Sequence, residues 1–377
     1  MHESKQRTGP APAGRPGAEP AAKGATAAPF APGGARAVVR EPTGDFRRLQ
    51  KHLDGPPGIG AREAWATPGA RGEGVRIIDV EWSWHFDHED LGGRHDGVLA
   101  GRPTRNEAQA DHGTAVLGVL GAQHNGYGVE GIVPHARLGA VALPQFCHDP
   151  AAFARPLAAA IRRATDLLGR GDLLVLAVHR PGPRHQFASR DDELGYVAVE
   201  WWPDVFAAVR RAVARGVVVV EAAGNGAEDL DDPLYDRPAP GFPAAWRNPF
   251  RPAHSSGAVL VAAGSPDDRV RMGISNFGLR VDAHGWGDNV VTTGYGDLQG
   301  VEPTRQYTYK FGGTSSAAAM VAGAIASVQG VLRQRGRAPL DAPAAARLLR
   351  SLRATPSPEG LIGNLPNVPQ MIALALA

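Results

Sequence analysis

Four short stretches of this chain carry residue types that could make and break bonds. In GGTSSAAAMVAG, 312–323, a glycine turn delivers a Thr-Ser-Ser run to the start of a small-residue helix. Ser315 placed there would project its hydroxyl into a cleft. The unpaired N–H groups of the helix start and the helix dipole would favour a negative charge developing beside it. In GVRIIDVEW, 74–82, an apolar run reads as a buried strand with Asp79 near its carboxyl end. In DHGTAVLGVLGA, 111–122, His112 reads as the residue before a helix, and in VVVVEAAGNG, 217–226, a strand runs into a Gly-Asn-Gly turn at Asn225. Each stretch alone has a plainer reading: a serine N-cap, a strand-end turn former, a surface histidine, a common Asn-Gly turn. Together they supply a nucleophile, a base, an acid to orient the base, and an amide to hold an oxyanion, which is the equipment for acyl transfer.

Such groups need elements to bring them together. From residue 58 the pattern alternates strands and helices. ARLGAVAL (136–143), LLVLAV (173–178), VVVVEA (217–222), AVLVAAG (258–264), RVDAHG (280–285) and NVVTTG (289–294) read as strands. FARPLAAAIRRATDLLG (153–169) reads as a helix. So does PDVFAAVRRAVARG (203–216), which starts with Pro, stops at Gly and places Val205, Phe206, Val209, Ala212 and Val213 on one stripe. Strand–helix–strand units argue for an α/β fold with a mainly parallel central sheet and helices on both faces. Ligands in such folds bind beyond the carboxyl ends of strands, where Asp79 and Asn225 are expected to fall.

With these motifs in hand, the chain resembles the subtilisin-like serine peptidases over about residues 58–377. The matching blocks are IIDVEWSWHFDHEDL, HGTAVLGVLGA with NGYGVEGIVPHARL, EAAGNG, ISNFGLRVD and GGTSSAAAMVAG, closing on IGNLPNVPQMI. The resemblance implies a subtilisin-like three-layer sandwich. It also implies hydrolysis of peptide bonds through an acyl-enzyme by a triad of Asp79, His112 and Ser315, with Asn225 in the oxyanion hole. Leu176, Ala177, Val178, His179 and Gly224, with roughly Pro144–His148, would flank the substrate peptide. No metal site or cofactor is required, and calcium is left open.

Several positions depart from the family pattern. The hydroxyl residue and glycine after the aspartate are replaced by Val80 and Glu81. Glu81 lies on the same strand face as Asp79, so it is expected to act on the pH dependence, unless it is a solvated or arginine-paired carboxylate. The substrate strand reads Ala177-Val178-His179 where Ser-Leu-Gly is usual, so His179 either narrows the cleft or faces solvent. Ala319 replaces a helix proline. HFDHED, 85–90, lacks zinc-helix spacing, and AEDLDDPLYD, 227–236, is either a calcium loop or a solvated acidic one.

Composition bounds the rest. The 377 residues carry a net charge of +2 with interspersed signs, which gives no reason to expect nucleic acid or membrane as a partner, and peptide or protein substrates are expected instead. Cys147 is the single cysteine, so no internal disulfide forms. No apolar run is read as long enough to span a bilayer. Residues 1–57 form an Ala/Pro/Gly-rich segment expected to be largely disordered, with a short amphipathic helix near 45–53 that either docks on the domain or covers the cleft. No signal peptide is legible, so the chain as written is expected in the cytoplasm unless another export route acts. Oligomeric state is not legible. Two rival readings accompany the broad endopeptidase: a processing peptidase for one precursor, and a non-catalytic peptide-binding scaffold.

Overall fold

Strand β1 (Arg76–Glu81) forms because Ile77, Ile78 and Val80 can all be buried, the first against one face of the sheet and the other two against the opposite face. A computed structural model describes residues 42–377 except 145–149, 301, 354–355 and 359–360. Cys147, most of the Pro144–His148 flank and the segment 1–41 lie outside the described residues. The remaining strands follow as β2 (His95–Ala100), β3 (Arg137–Ala142), β4 (Leu173–Leu176), β5 (His179–Pro181), β6 (Tyr196–Ala198), β7 (Val218–Ala222), β8 (Val259–Gly264), β9 (Ala283–Trp286), β10 (Val290–Thr293) and β11 (Tyr307–Phe311). The helices are α1 (Ala61–Ala64), α2 (Glu107–Gly121), α3 (Pro150–Leu167), α4 (Pro203–Ala214), α5 (Gly313–Gln334), α6 (Ala342–Arg350) and α7 (Val368–Leu376).

Among the described residues, seven strands join in the order β2-β3-β1-β4-β7-β8-β9, and every pairing is parallel. Alternation along the strands makes two cores. Ile77, Val175, Val218 and Val220 face α2 and α5, while Ile78, Val80, Leu174, Leu176 and Val219 face α3 and α4. This is the α/β sandwich expected from the sequence. Asp79 and Glu81 have the same parity as Ile77, so both carboxylates lie on the α2/α5 side, where the histidine and serine also sit.

NVVTTG is a strand as read, and β10 pairs antiparallel with β11 to make a ribbon apart from the main sheet. Two expectations shift. The run 173–178 ends as a strand at Leu176, and the chain turns into a second antiparallel ribbon, β5 with β6. Helix α5 is long and apolar enough to cross a membrane by composition, contrary to the reading that no run is, yet it is buried from Gly313 to Leu332 and serves as the core helix.

Residues 43–57 belong to the compact unit Thr43–Ala377. In place of one amphipathic helix they form two 3-10 turns, Arg47–Leu49 and Lys51–Leu53. Leu53 enters the core, Leu49 stays exposed, and the buried Gln50 side chain bonds the backbone of Glu130 and Val291. None of these residues lines the cleft described next.

Candidate active site

Helix α2 starts five residues before His112, because the Asn106 side chain caps it by accepting from Gln109 N at 3.0 Å. His112 is therefore inside the second turn and not ahead of the helix as the sequence suggested. Its ring projects toward the carboxyl end of β1. Nδ1 donates to Glu81 Oε2 at 2.6 Å, which leaves Nε2 as the ring nitrogen available to a substrate or nucleophile.

Asp79 does not take that position. Both carboxylates are fully buried, but Asp79 sits two residues inside the strand and its Oδ2 accepts the indole N–H of Trp84 at 2.8 Å. The assignment of Asp79 as the acid on His112 is corrected by this geometry: the strand's last residue, Glu81, reaches the imidazole. Glu81 is the last residue of β1, at the carboxyl edge of the sheet where a parallel α/β fold places its ligands.

The serine block folds as expected. Gly312 precedes α5, and Gly313 takes φ +70°, where a Cβ would come within 3.0 Å of the Asn225 amide. Ser315 Oγ donates to Ala177 O at 3.2 Å, whereas Ser316 Oγ turns away to Trp286 O at 2.7 Å. Of the two serines, Ser315 is the one that lines the cleft. No hydrogen bond joins Ser315 to His112, although both line one cleft; such contacts often tighten only when substrate binds.

Asn225 is oriented by its neighbours. Its Oδ1 accepts from Thr314 N at 2.9 Å and from Thr314 Oγ1 at 3.0 Å, so Nδ2 faces the cleft. The N–H of Ser315 lies in the first turn of α5, where no intrahelical acceptor exists. The cleft has a volume of about 750 Å³ and is walled by Ala177, Val178 and His179 on one side and by the β10–β11 ribbon on the other.

The remaining expectations divide. Leu176 is buried among the α3/α4-facing side chains and lines nothing, because it points to the opposite face from Ala177. Gly224 does not line the cleft either; it holds a φ of +103° beneath Asn225, where a Cβ would meet Asn276 Nδ2 at 2.7 Å. His179 does narrow the cleft: its Nδ1 accepts from Asn225 N at 3.0 Å and its ring packs edge-on against Tyr196. Sequence reasoning missed Glu193 and Tyr196, which the β5–β6 ribbon brings into the cleft from a stretch with no motif.

A model of the subtilase family matches residues 94–338. The chain belongs to the subtilase family. Subtilisin BL of Lederbergia lenta is 28% identical over 266 residues, 69% of this chain and 78% of that protein. The minor extracellular protease Epr of Bacillus subtilis is 29% identical over 170 residues, and the matched region spans only 22% of Epr's length. A solved protease of Pseudoalteromonas arctica shares the fold at a TM-score of 0.61 and 21% identity, covering 89% of this chain and 99% of that one. The chain is thus a subtilisin-like serine peptidase by family. The matched span begins after β1, so the strand bearing the two acids lies outside it.

Electrostatics separates those acids. Burial, and then the charge of Glu81, push the Asp79 carboxyl well above the usual carboxylate range, so Asp79 is held as a neutral acid. Burial raises Glu81 as well, but the charge of His112 and the hydrogen bond to it work against that. Burial alone would lower His112. The Glu81 carboxylate, the bond to it and the charge of Glu193 outweigh that effect, and its pKa lies above the ordinary histidine value. Both carboxyls on this strand face thus lie above the ordinary carboxylate range, Asp79 with only hydrogen bonds from Trp84 and Val80 opposing the shift and Glu81 with the charge and hydrogen bond of His112 working against it.

The acidic loop 227–236 of this subtilase serves arginines and backbone. Glu228 and Asp232 pair with Arg184, Asp236 pairs with Arg251, and Asp232 also caps a short turn through Leu234 N. Among the described residues no three His, Cys, Asp or Glu side chains are grouped to hold a metal ion. Asp90, on the turn after β1, bonds Asn125 Nδ2 at 2.7 Å and Val129 N at 2.7 Å, so nitrogen donors satisfy its oxygens.

Proposed function

We propose that this subtilase is an endopeptidase that hydrolyses peptide bonds through an acyl-enzyme, with Glu81, His112 and Ser315 as its triad and Asn225 as its oxyanion amide. The observation that carries this is the 2.6 Å bond from His112 Nδ1 to Glu81 in a cleft also lined by Ser315 and Asn225. With Nδ1–H fixed on Glu81, Nε2 removes the proton from Ser315 as its Oγ attacks the scissile carbonyl. The carbonyl oxygen becomes an oxyanion held by Asn225 Nδ2 and the Ser315 N–H. The imidazolium, stabilised by the Glu81 carboxylate, gives its proton to the leaving amine. Water activated by the same imidazole then releases the acyl group and restores Ser315. Asp79 takes no part in proton transfer; it accepts the Trp84 indole and supports the strand. Peptide and protein chains are the substrates. The chemistry runs on these side chains and requires no cofactor.

A fluorophosphonate probe tests the reading. It is expected to label the wild-type protein and to leave Ser315→Ala unlabelled; equal labelling of both, or of neither, would contradict the assignment.

A further inference from the structure

The β5–β6 ribbon ends in a loop that returns Glu193 to the cleft in an unusual backbone state. Glu193 has φ +55°, a region that non-glycine residues occupy only when the surroundings hold them there. Those surroundings are visible: Glu193 N bonds Arg190 O at 3.2 Å, and Glu193 O accepts from Tyr196 N at 3.0 Å. The adjacent Arg190 is engaged by Asp192 through two bonds of 2.8 and 2.6 Å. The Glu193 carboxylate therefore turns inward.

Its partners there are the amide assigned to the oxyanion and the histidine beside it. Oε2 accepts from Asn225 Nδ2 at 3.0 Å, and Oε1 lies 3.4 Å from His179 Nε2. Because His179 Nδ1 accepts from Asn225 N, Nε2 carries the ring's hydrogen and can donate to Glu193 without the ring being charged. Burial opposes the charge on Glu193, but the hydrogen bonds from His179 and Asn225 work the other way, and its pKa is held down at about 2. It is a carboxylate throughout the working pH range.

A fixed negative charge on this amide bears directly on the reaction. Asn225 has a second N–H, so an oxyanion could still reach it, but the developing charge would form beside a carboxylate. Like charges so close oppose each other strongly in a partly desolvated site. The cleft offers little to offset this. Among its described lining residues the one lysine or arginine is Lys310, which lies on the β11 ribbon over the Tyr309 ring at 4.9 Å. Asp297 adds a further carboxylate to that wall. Beyond the imidazolium that forms on His112 during the reaction, a compensating cation has to arrive with the substrate.

We propose that Glu193 is a specificity-determining residue: it disfavours oxyanion formation on neutral or acidic peptides and favours cleavage where a lysine or arginine side chain accompanies the scissile carbonyl. The substrate's cation draws the carboxylate off Asn225 and neutralises it in one contact. This inference rests on Asn225 being the oxyanion amide. It narrows the substrate class from peptides in general to peptides with a basic residue at the bond cleaved.

Two fluorogenic peptides that differ only in arginine or citrulline at the residue bearing the scissile carbonyl test it, since citrulline keeps the shape and removes the charge. The wild-type kcat/KM should favour arginine by roughly 10–100-fold. Glu193→Gln, which keeps hydrogen-bonding atoms, should bring the ratio to about threefold or less, with a gain on the citrulline peptide. Active sites are counted in each variant by fluorophosphonate titration, so a folding defect is not mistaken for a catalytic one. No preference in the wild type, an unchanged ratio in Glu193→Gln, or an equal loss on both peptides at full titration would overturn the proposal while leaving the serine mechanism standing. Absence of labelling in the wild type would overturn both.

Discussion

Glu81 and Asp79 are two residues apart, both buried, both carboxylates, and only the longer and later one touches His112. The sequence blocks pointed to Asp79 because an aspartate after an apolar run looks like the expected acid. The residue type was legible there; which carboxylate faces the imidazole was not, since that depends on where β1 ends. The assignment has a consequence for pH. A general base must be neutral, so kcat/KM rises as pH passes the His112 pKa, and in the wild type that limb should lie above the ordinary histidine value of about 6.5. Glu81→Gln removes the main group that raises it and leaves burial opposed only by the charge of Glu193. The acid limb of the residual activity should therefore move to lower pH, as followed by kcat/KM from pH 5 to 9. A limb that stays in place would show that Glu81 does not act on His112.

At the scale of elements, β1 carries an uncompensated ionisable group in its interior. Asp79 has a folded-state pKa well above its unfolded value, so the stability of its neutral form is fully present below about pH 4. That stability is lost progressively as pH rises toward the folded value. Asparagine keeps an acceptor for Trp84 and cannot ionise. The Tm of Asp79→Asn relative to wild type should therefore increase between pH 5 and pH 8, read by thermal unfolding; a difference that stays flat over this range would contradict a neutral buried Asp79. Elements were also where sequence reading did best. The strand runs at 136–143, 173–178 and 217–222 and the helix at 203–216 all appear close to where their patterns place them. The β5–β6 ribbon was not legible, because a three-residue strand pairing with another across a fourteen-residue loop leaves no periodicity to read.

At the scale of the molecule, the sheet's parity links all of this. Residues 77, 79 and 81 share one face, and that face meets both the helix of the histidine and the helix of the serine. Local motifs supplied His112, Ser315 and Asn225 because each stands at a helix turn or a glycine turn whose geometry is set by neighbours in sequence. Glu193 and the role of Glu81 depend on contacts across 32 and 31 positions of chain, which no local pattern encodes. Which acid orients His112 decides how the site works, and kcat/KM of Glu81→Gln and Asp79→Asn measured side by side on one peptide tests it most directly. Glu81→Gln should lose activity on the order of 10⁴-fold, as an amide in place of the acid does in a Ser-His-Asp triad, while Asp79→Asn should stay within about tenfold of wild type. The reverse order, with Asp79→Asn the crippled enzyme and Glu81→Gln near wild type, would contradict it.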